Sequence, residues 1–304
     1  MIDVDVPFGT DYWSRVHRRE RHEDGIPWEF GDKIASKSYF LQKGYPTATN
    51  LAQFRSVDEI DLNALPPVFA LKPTFAHTSA GVYLIEARKD GFFDRFRGEP
   101  VDIEALHREM ERLLEQFGRD QSQVNFVAEE VVDDIHGVDV PIDYKFLMFY
   151  DQLGICFALD RNAKPLHVDY WDAHLRPLPT TAVFHVKPEV ATRGHTPAPR
   201  FLPELVEFAI QVSASIPVPM CRIDLYMTRR GPVLGEVTLL PGNWYYDDGV
   251  AVMGAQLSAQ LGALWGRAEG RISSDFGSYP ACTGTLSLDA LLKMQQQRAT
   301  GQHA

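Results

Sequence analysis

The sequence predicts an α+β fold in which antiparallel sheets alternate with single helices. Two observations carry this. The periodic segments run helix, two strands, helix, several strands, helix, two strands, helix, which is not the regular βαβ alternation of a parallel sheet. The strand-like runs also fall in neighbouring pairs separated by turn-sized segments, the pattern of hairpins. No internal repeat is visible.

Taken in order, residues 1–31 are polar and aromatic with little periodicity. "GDKIASKSYFLQKGYPTAT" reads as a short helix over roughly 32–43, ended by Gly44 and Pro46. "LPPVFALKPTF" is a strand entered through two prolines, "AGVYLIEAR" a second, and "HTSAG" the hairpin-like turn between them. "VDIEALHREMERLLEQFG" places apolar residues at 103, 106, 110, 113, 114 and 117, a helical stripe. "VNFVAEEVV" is a strand, and a loop with Gly137 and Pro141 leads to the strands "DYKFLMFYDQLG" and "ICFALDR". A helix over 201–214 precedes strands at 222–227 and 233–239, joined by an Arg229-Arg230-Gly231 turn. A small-residue helix follows over 249–266, and "LSLDALLKMQQQ" closes the chain as an amphipathic helix with a polar end.

Bulk properties narrow the function classes. The 304 residues suffice for one large domain or two or three subdomains. Apolar content of 45% and charged content of 23% are those of a soluble globular protein. An excess of 41 acidic over 30 basic residues argues against a general binder of nucleic acid or anionic membrane, while leaving room for a basic cleft. Three scattered cysteines, no CxxC pair, no signal-peptide layout at "MIDVDVPFGTDYW" and no apolar run near ~18 residues lead to the expectation of a cytoplasmic protein.

The chemistry-bearing residues sit on or beside the strands. Asp224 and Glu236 each place one carboxylate in an otherwise apolar run. If the two strands pair across their turn, both lie on one face. Such a pair either holds a hard divalent cation such as Mg²⁺ or is neutralised by a neighbouring arginine, of which Arg222 is one. Lys72, at the end of a strand and before a proline, suits an anion, with Ser79, Ala80 and Gly81 able to cover it; the alternative is a surface Lys-Pro. "FVAEEVVDDI" is either a strand whose end offers backbone groups to a base, or a solvated edge. Arg161 and Arg222 can each bind two phosphate oxygens or be surface arginines, and Lys145 suits phosphate or a salt bridge on the strand face. "LHVDYWDAH" and "GNWYYDD" mix aromatic and polar groups, as small-molecule pockets and packed loops both do. His77, His167 and His174 are scattered, and no Ser-His-Asp or Cys-His arrangement stands out.

The order of four elements, "GDKIASKSYFLQKGYPTAT", "LKPTFAHTSAGV", "AEEVV" and "IDLY…GEVTLLPGN", resembles the ATP-grasp superfamily from residue 31 to about 250. "DYKFLMFYDQLG", "RIDLY" and "GEVTLLPG" are most similar to the TupA-like branch associated with teichuronopeptide biosynthesis. The resemblance implies two α+β subdomains with antiparallel sheets clasping ATP, after a reduced N-terminal pre-domain. It divides the chain into a short N-terminal segment with a helix (1–65), a small ATP-grasp subdomain (66–131), a C-terminal subdomain with the metal site (132–270) and a tail (271–304). It implies that Lys33 and Lys72 hold nucleotide phosphates, and that Glu129 and Val132, with Glu130 between them, read adenine through their backbone. It implies a ribose- or hinge-side carboxylate at Asp143, guanidiniums facing the γ-phosphate or an acyl phosphate at Arg161 and Arg222, and Mg²⁺ on Asp224 and Glu236. Many ATP-grasp enzymes carry an asparagine where Thr238 stands here, so the third ligand is Thr238 or, from further along, Asn243. The expected activity joins a small-molecule carboxylate to an amine through an acyl phosphate. A kinase acting on a hydroxyl, and a non-catalytic nucleotide-binding protein, are the competing expectations.

Overall fold

The computed structural model describes residues 9–20, 23–76, 79–178, 184–186, 189, 191–241 and 251–300. In chain order these form helices α1 (Tyr12–Arg19) and α2 (Lys33–Gln42), strands β1 (Asn50–Phe54), β2 (Val68–Pro73), β3 (Tyr83–Arg88), β4 (Gly91–Asp94) and β5 (Glu99–Pro100), helix α3 (Ile103–Gln116), and strands β6 (Phe126–Glu129), β7 (Asp143–Phe149), β8 (Gln152–Asp160), β9 (Leu166–Asp172), β10 (Phe184–Val186) and β11 (Ala191–Arg193). Helix α4 (Leu202–Ala214), strands β12 (Cys221–Thr228), β13 (Gly231–Thr238) and β14 (Ala251–Met253), and helices α5 (Ala255–Phe276) and α6 (Leu288–Thr300) complete the chain. One six-stranded sheet has the order β1-β6-β2-β3-β4-β5 and a second β11-β9-β8-β7-β12-β13; β10 and β14 pair separately. All pairings are antiparallel except β11 with β9.

Period-2 alternation explains how the first sheet faces two ways. Phe69 and Leu71 of β2, with Phe126 and Ala128 of β6, pack on Leu106, Met110 and Leu113 of α3, each fully buried apolar side chain contributing about 1.5–3 kcal/mol. Lys72 and Glu129, on the intervening positions, face the other way. The α3 stripe is narrower than its sequence suggests, because Ile103 and Phe117 at its ends are exposed.

The second sheet is covered on both faces. Tyr144, Phe146, Met148, Ile223 and Leu225 pack under Leu205, Ala209 and Val212 of α4. Leu147, Phe149, Ile155 and Tyr170 pack against Tyr12 and Val16 of α1 and Leu261 and Trp265 of α5. The segment after α2 joins the two sheets. The Leu234 N–H donates to the Pro46 carbonyl (2.8 Å), and three residues on Glu130 N–H donates to Thr49 (2.9 Å).

Strands β1, β4, β5, β9, β10 and β11 have no counterpart in the sequence expectation, and three further elements differ from it. Helix α1 forms within the stretch that shows little periodicity, because its buried stripe of Tyr12, Val16 and Arg19 includes a charge. Asp11 caps it by accepting from Trp13 and Ser14 N–H groups (3.1 and 3.3 Å). "DYKFLMFYDQLG" is not one strand: the chain turns at Tyr150-Asp151, with Phe149 opposite Gln152. Tyr150 takes φ 59°, a conformation that Gly or Asn adopts more easily, so the usual turn signal is missing. The helix expected over 249–266 starts at Ala255, after β14, and continues to Phe276. Among the described residues no helix is long and apolar enough to cross a membrane.

Candidate active site

Helix α2 sets the first cluster. Asp32 caps it by accepting from the Ile34 and Ala35 N–H groups (2.9 and 3.0 Å), which places Lys33 at its first position. The Lys33 N–H donates to Thr74 O (3.0 Å) and its ammonium to Ala76 O (2.6 Å), tying the helix start to the end of β2. One turn later Lys37 lies on the same helix face. Its ammonium meets Glu129 (2.8 Å) and the Asn50 side-chain oxygen. Lys72 meets the other Glu129 oxygen at 2.5 Å. Burial pulls the Glu129 carboxyl upward, but Lys72 and Lys37 outweigh it and hold the group below the usual carboxylate range.

The turn after β2 bends back at Ser79 (φ 64°) and Gly81 (φ 68°). A Cβ on Gly81 would stand 2.7 Å from Leu113 and 2.8 Å from Pro73, so this close approach to α3 admits glycine alone without a shift. The Gly81 N–H donates to Glu109 of α3 (3.2 Å), and Ala80 packs on the core beneath. His77 lies outside the described residues. At the other end of the first sheet the Glu130 carboxylate accepts from Thr49 N–H (3.0 Å). Val132 is half-buried, and its backbone makes no hydrogen bond among the described residues.

The second cluster lies on β7, β8, β12 and β13. Asp224 stands opposite Glu236 on one side and Lys145 on the other, so three ionisable groups follow one line across three strands. Arg222 forks onto Asp224 with Nε to Oδ1 at 2.6 Å and Nη2 to Oδ2 at 2.8 Å, and also donates to the Thr238 hydroxyl (3.1 Å). Lys145 donates to Asp224 and meets Asp143 at 2.7 Å; Arg161 reaches Asp143 at 3.4 Å. The neutralised-carboxylate alternative is therefore present at Asp224, which is only 4% exposed. Burial raises its pKa, and Arg222 then Lys145 overcome that and lower it. Glu236 is half-buried and makes no direct ion pair among the described residues, but attracts Lys33 across the cleft. Glu129 also attracts Lys33 and Lys72 repels it, so groups of both clusters act on the one ammonium. Six cations (Lys33, Lys37, Lys72, Lys145, Arg161, Arg222) face four carboxylates (Glu129, Asp143, Asp224, Glu236). With Asp32 and Glu130, which also act on Lys33 and Lys37, the charges balance six against six.

A family model described as TupA-like ATP-grasp matches residues 15–257. The chain belongs to the TupA-like ATP-grasp family. Among solved structures it is similar to D-alanine–D-alanine ligase from Bacillus anthracis (15% identity, 89% of this chain and 69% of that one, TM-score 0.41). It is similar also to D-alanyl-alanine synthetase A from Vibrio cholerae O1 biovar eltor str. N16961 (11% identity, 81% and 65%, TM-score 0.45). A third is a RimK domain protein ATP-grasp from Sphaerobacter thermophilus DSM 20745 (13% identity, 78% and 64%, TM-score 0.39). No curated protein matches.

Two site residues of this ATP-grasp chain escape the sequence reasoning. Lys37 had a signal, its spacing of four from Lys33 on one helix. Tyr226, two residues beyond Asp224 on β12, feels Asp143, Arg161, Asp224 and Glu129, and burial drives its pKa far up. It has room because Gly235, at the bulge of β13, lacks a side chain: a Cβ there would stand 2.8 Å from the Tyr226 ring. The "LHVDYWDAH" stretch divides between faces. Tyr170 shares the Lys145 face through Phe157. His167, Asp169 and Trp171 point to the opposite face, where His167 and Asp169 meet at 3.2 Å and Trp171 donates to Thr196 O. Asn243 and the rest of "GNWYYDD" lie outside the described residues.

The site fits a hard divalent cation. Carboxylates of facing strands supply oxygen donors, and Asp143 Oδ1 is buried without a hydrogen-bond partner among the described residues. No group of three or more metal-ligating side chains occurs among those residues, and Mg²⁺ needs none, because one or two carboxylates with substrate phosphates suffice.

Proposed function

We propose that this chain is an ATP-dependent carboxylate–amine ligase. The observation that carries the reading is the pair of opposed clusters, lysines from α2 and β2 facing the Asp224–Glu236 strands. Lys33 and Lys72 would take the ATP phosphates, the backbone from Glu129 to Val132 the base, and Asp143 the ribose side. The four-part division of the chain at 65, 131 and 270 goes with this reading. Mg²⁺, held by Asp224 and Glu236 with Thr238 or Asn243 beside them, would neutralise phosphate charge.

A substrate carboxylate oxygen attacks the γ-phosphorus and the bond to the β-phosphate oxygen breaks, releasing ADP. An amine nitrogen then attacks the acyl carbon, phosphate leaves, and the nitrogen gives up a proton. Arg222, Arg161 and Lys145 stabilise the charge on the transferring group and need no covalent step of their own. A carboxylate attacks as the anion it already is. A hydroxyl acceptor needs a base, and Asp224, forked by Arg222 and held down in pKa, is a poor one. This favours the ligase over the kinase.

The deciding experiment measures ADP release across amino acids, uronic acids and small peptides, with product masses. A condensed pair less one water supports the ligase. A phosphorylated product without amide replaces it with the kinase, and nucleotide binding without turnover on any substrate replaces it with a binding protein. The alkaline limb supplies a second check. Burial lowers the Lys33 pKa below its ordinary 10.5, with Glu236 opposing. As pH rises, Lys33 therefore loses its charge before a free lysine would, and kcat/KM for ATP is expected to fall on that limb. Lys33→Arg, which stays charged, should move the fall to higher pH; an unmoved limb excludes Lys33 from phosphate binding.

A further inference from the structure

Glu129 is only 7% exposed, yet two ammonium groups share it. The two are held differently. Lys37 comes from the buried side of α2, is 10% exposed, and is fixed by two acceptors, Glu129 and the Asn50 oxygen. Lys72 is twice as exposed, at 20%, lies next to last on β2, and has Glu129 as its one ion-pair partner among the described residues, at 2.5 Å. A buried carboxylate stripped of its last cation is costly. A lysine that is its sole counter-ion is therefore a poor phosphate ligand, since turning to the phosphate strands the carboxylate.

We infer that Lys37 is the resident counter-ion of Glu129, and that its presence releases the Lys72 ammonium to bind a nucleotide phosphate. Lys37 is thus a positioning residue that acts through Glu129 without touching the ligand. The inference rests on the ATP reading above and adds to it a division of labour between two neighbouring lysines. It also gives the Glu129 side chain a role, holding Lys72 in place near the end of β2.

The test is a double-mutant cycle read by calorimetric binding of a non-hydrolysable ATP analogue, with melting temperature recorded for each variant. Lys37→Met is expected to weaken binding roughly tenfold or more, because Lys72 then stays on Glu129. Lys37→Arg should stay close to the wild type. The diagnostic arm is Glu129→Gln placed in the Lys37→Met background, which should restore most of the lost affinity by removing the charge that retained Lys72. A purely structural role for Lys37 predicts the reverse, a double variant at least as weak as the single one, and that result overturns the inference. So does unchanged binding in Lys37→Met. If the wild type itself fails to bind the analogue, the ATP reading falls and takes the inference with it. A wild type that binds, with losses that merely add, removes the inference alone.

Discussion

Glu236→Gln is expected to abolish Mg²⁺-dependent ADP release with little change in melting temperature, whereas Asp224→Asn should abolish it and destabilise the protein together. The difference lies in their partners. Glu236 makes no direct ion pair among the described residues, so its amide removes a cation ligand and little else. Asp224 is buried against Arg222 and Lys145, and losing its charge leaves two poorly exposed cations facing each other. Breaking a buried pair of this kind costs about 3 kcal/mol or more, which at about 2–4 °C per kcal/mol is a drop of several degrees. Turnover and thermal unfolding on the two variants check both halves. Unchanged ADP release in both would remove the metal assignment, and equal melting temperatures would remove the ion-pair account.

The second large effect concerns stability. A Cβ on Gly262 of α5 would overlap the Thr10 carbonyl oxygen and stand 2.6 Å from Asp11 Cα, backbone atoms that cannot swing aside. Gly262→Ala must therefore push α1 away. That helix is also held by Ser258 on Asp11 (3.1 Å), Arg15 on Glu269 (2.6 Å), and Arg19 on the Met220 and Leu239 carbonyls (2.6 and 2.9 Å). The expected loss is about 2–3 kcal/mol from overpacking, after an offset of about 1 kcal/mol from better helix propensity. Gly270→Ala on the same helix is the control, because nothing lies within 4 Å of its Cβ position. It should be neutral or raise the melting temperature. Equal behaviour of the two glycines would refute the packing argument.

Elements that depend on local patterning are legible in the sequence. The hairpin of β2 and β3, the α3 stripe, and the pairing that brings Asp224 opposite Glu236 are all readable from alternation and turn residues. Elements that depend on tertiary partners stay hidden. Helix α1 disguises its buried face with Arg19, whose guanidinium donates to carbonyls roughly two hundred residues away. The site's lysines show the same split. Lys33 and Lys72 stand out by motif, but Lys37 gains its meaning from Glu129 and Asn50, which only the fold brings near. Tyr226 follows Arg222 and Asp224 on their face of β12, but its nearness to Asp143, Arg161 and Glu129 appears only in the fold.

The chain between α2 and β1 has a mechanical consequence. Pro46 and Thr47 lie along the outer side of β13 at Leu234, while Thr49 and Asn50 pair with Glu130 and Glu129 at the rim of the other sheet. From Pro46 to Asn50 is four residue steps, about 14 Å at full extension. That tether limits how far the carboxylate rim and the hinge rim can part while both attachments hold. Any breathing of the cleft that admits a nucleotide must therefore swing open at the side away from it.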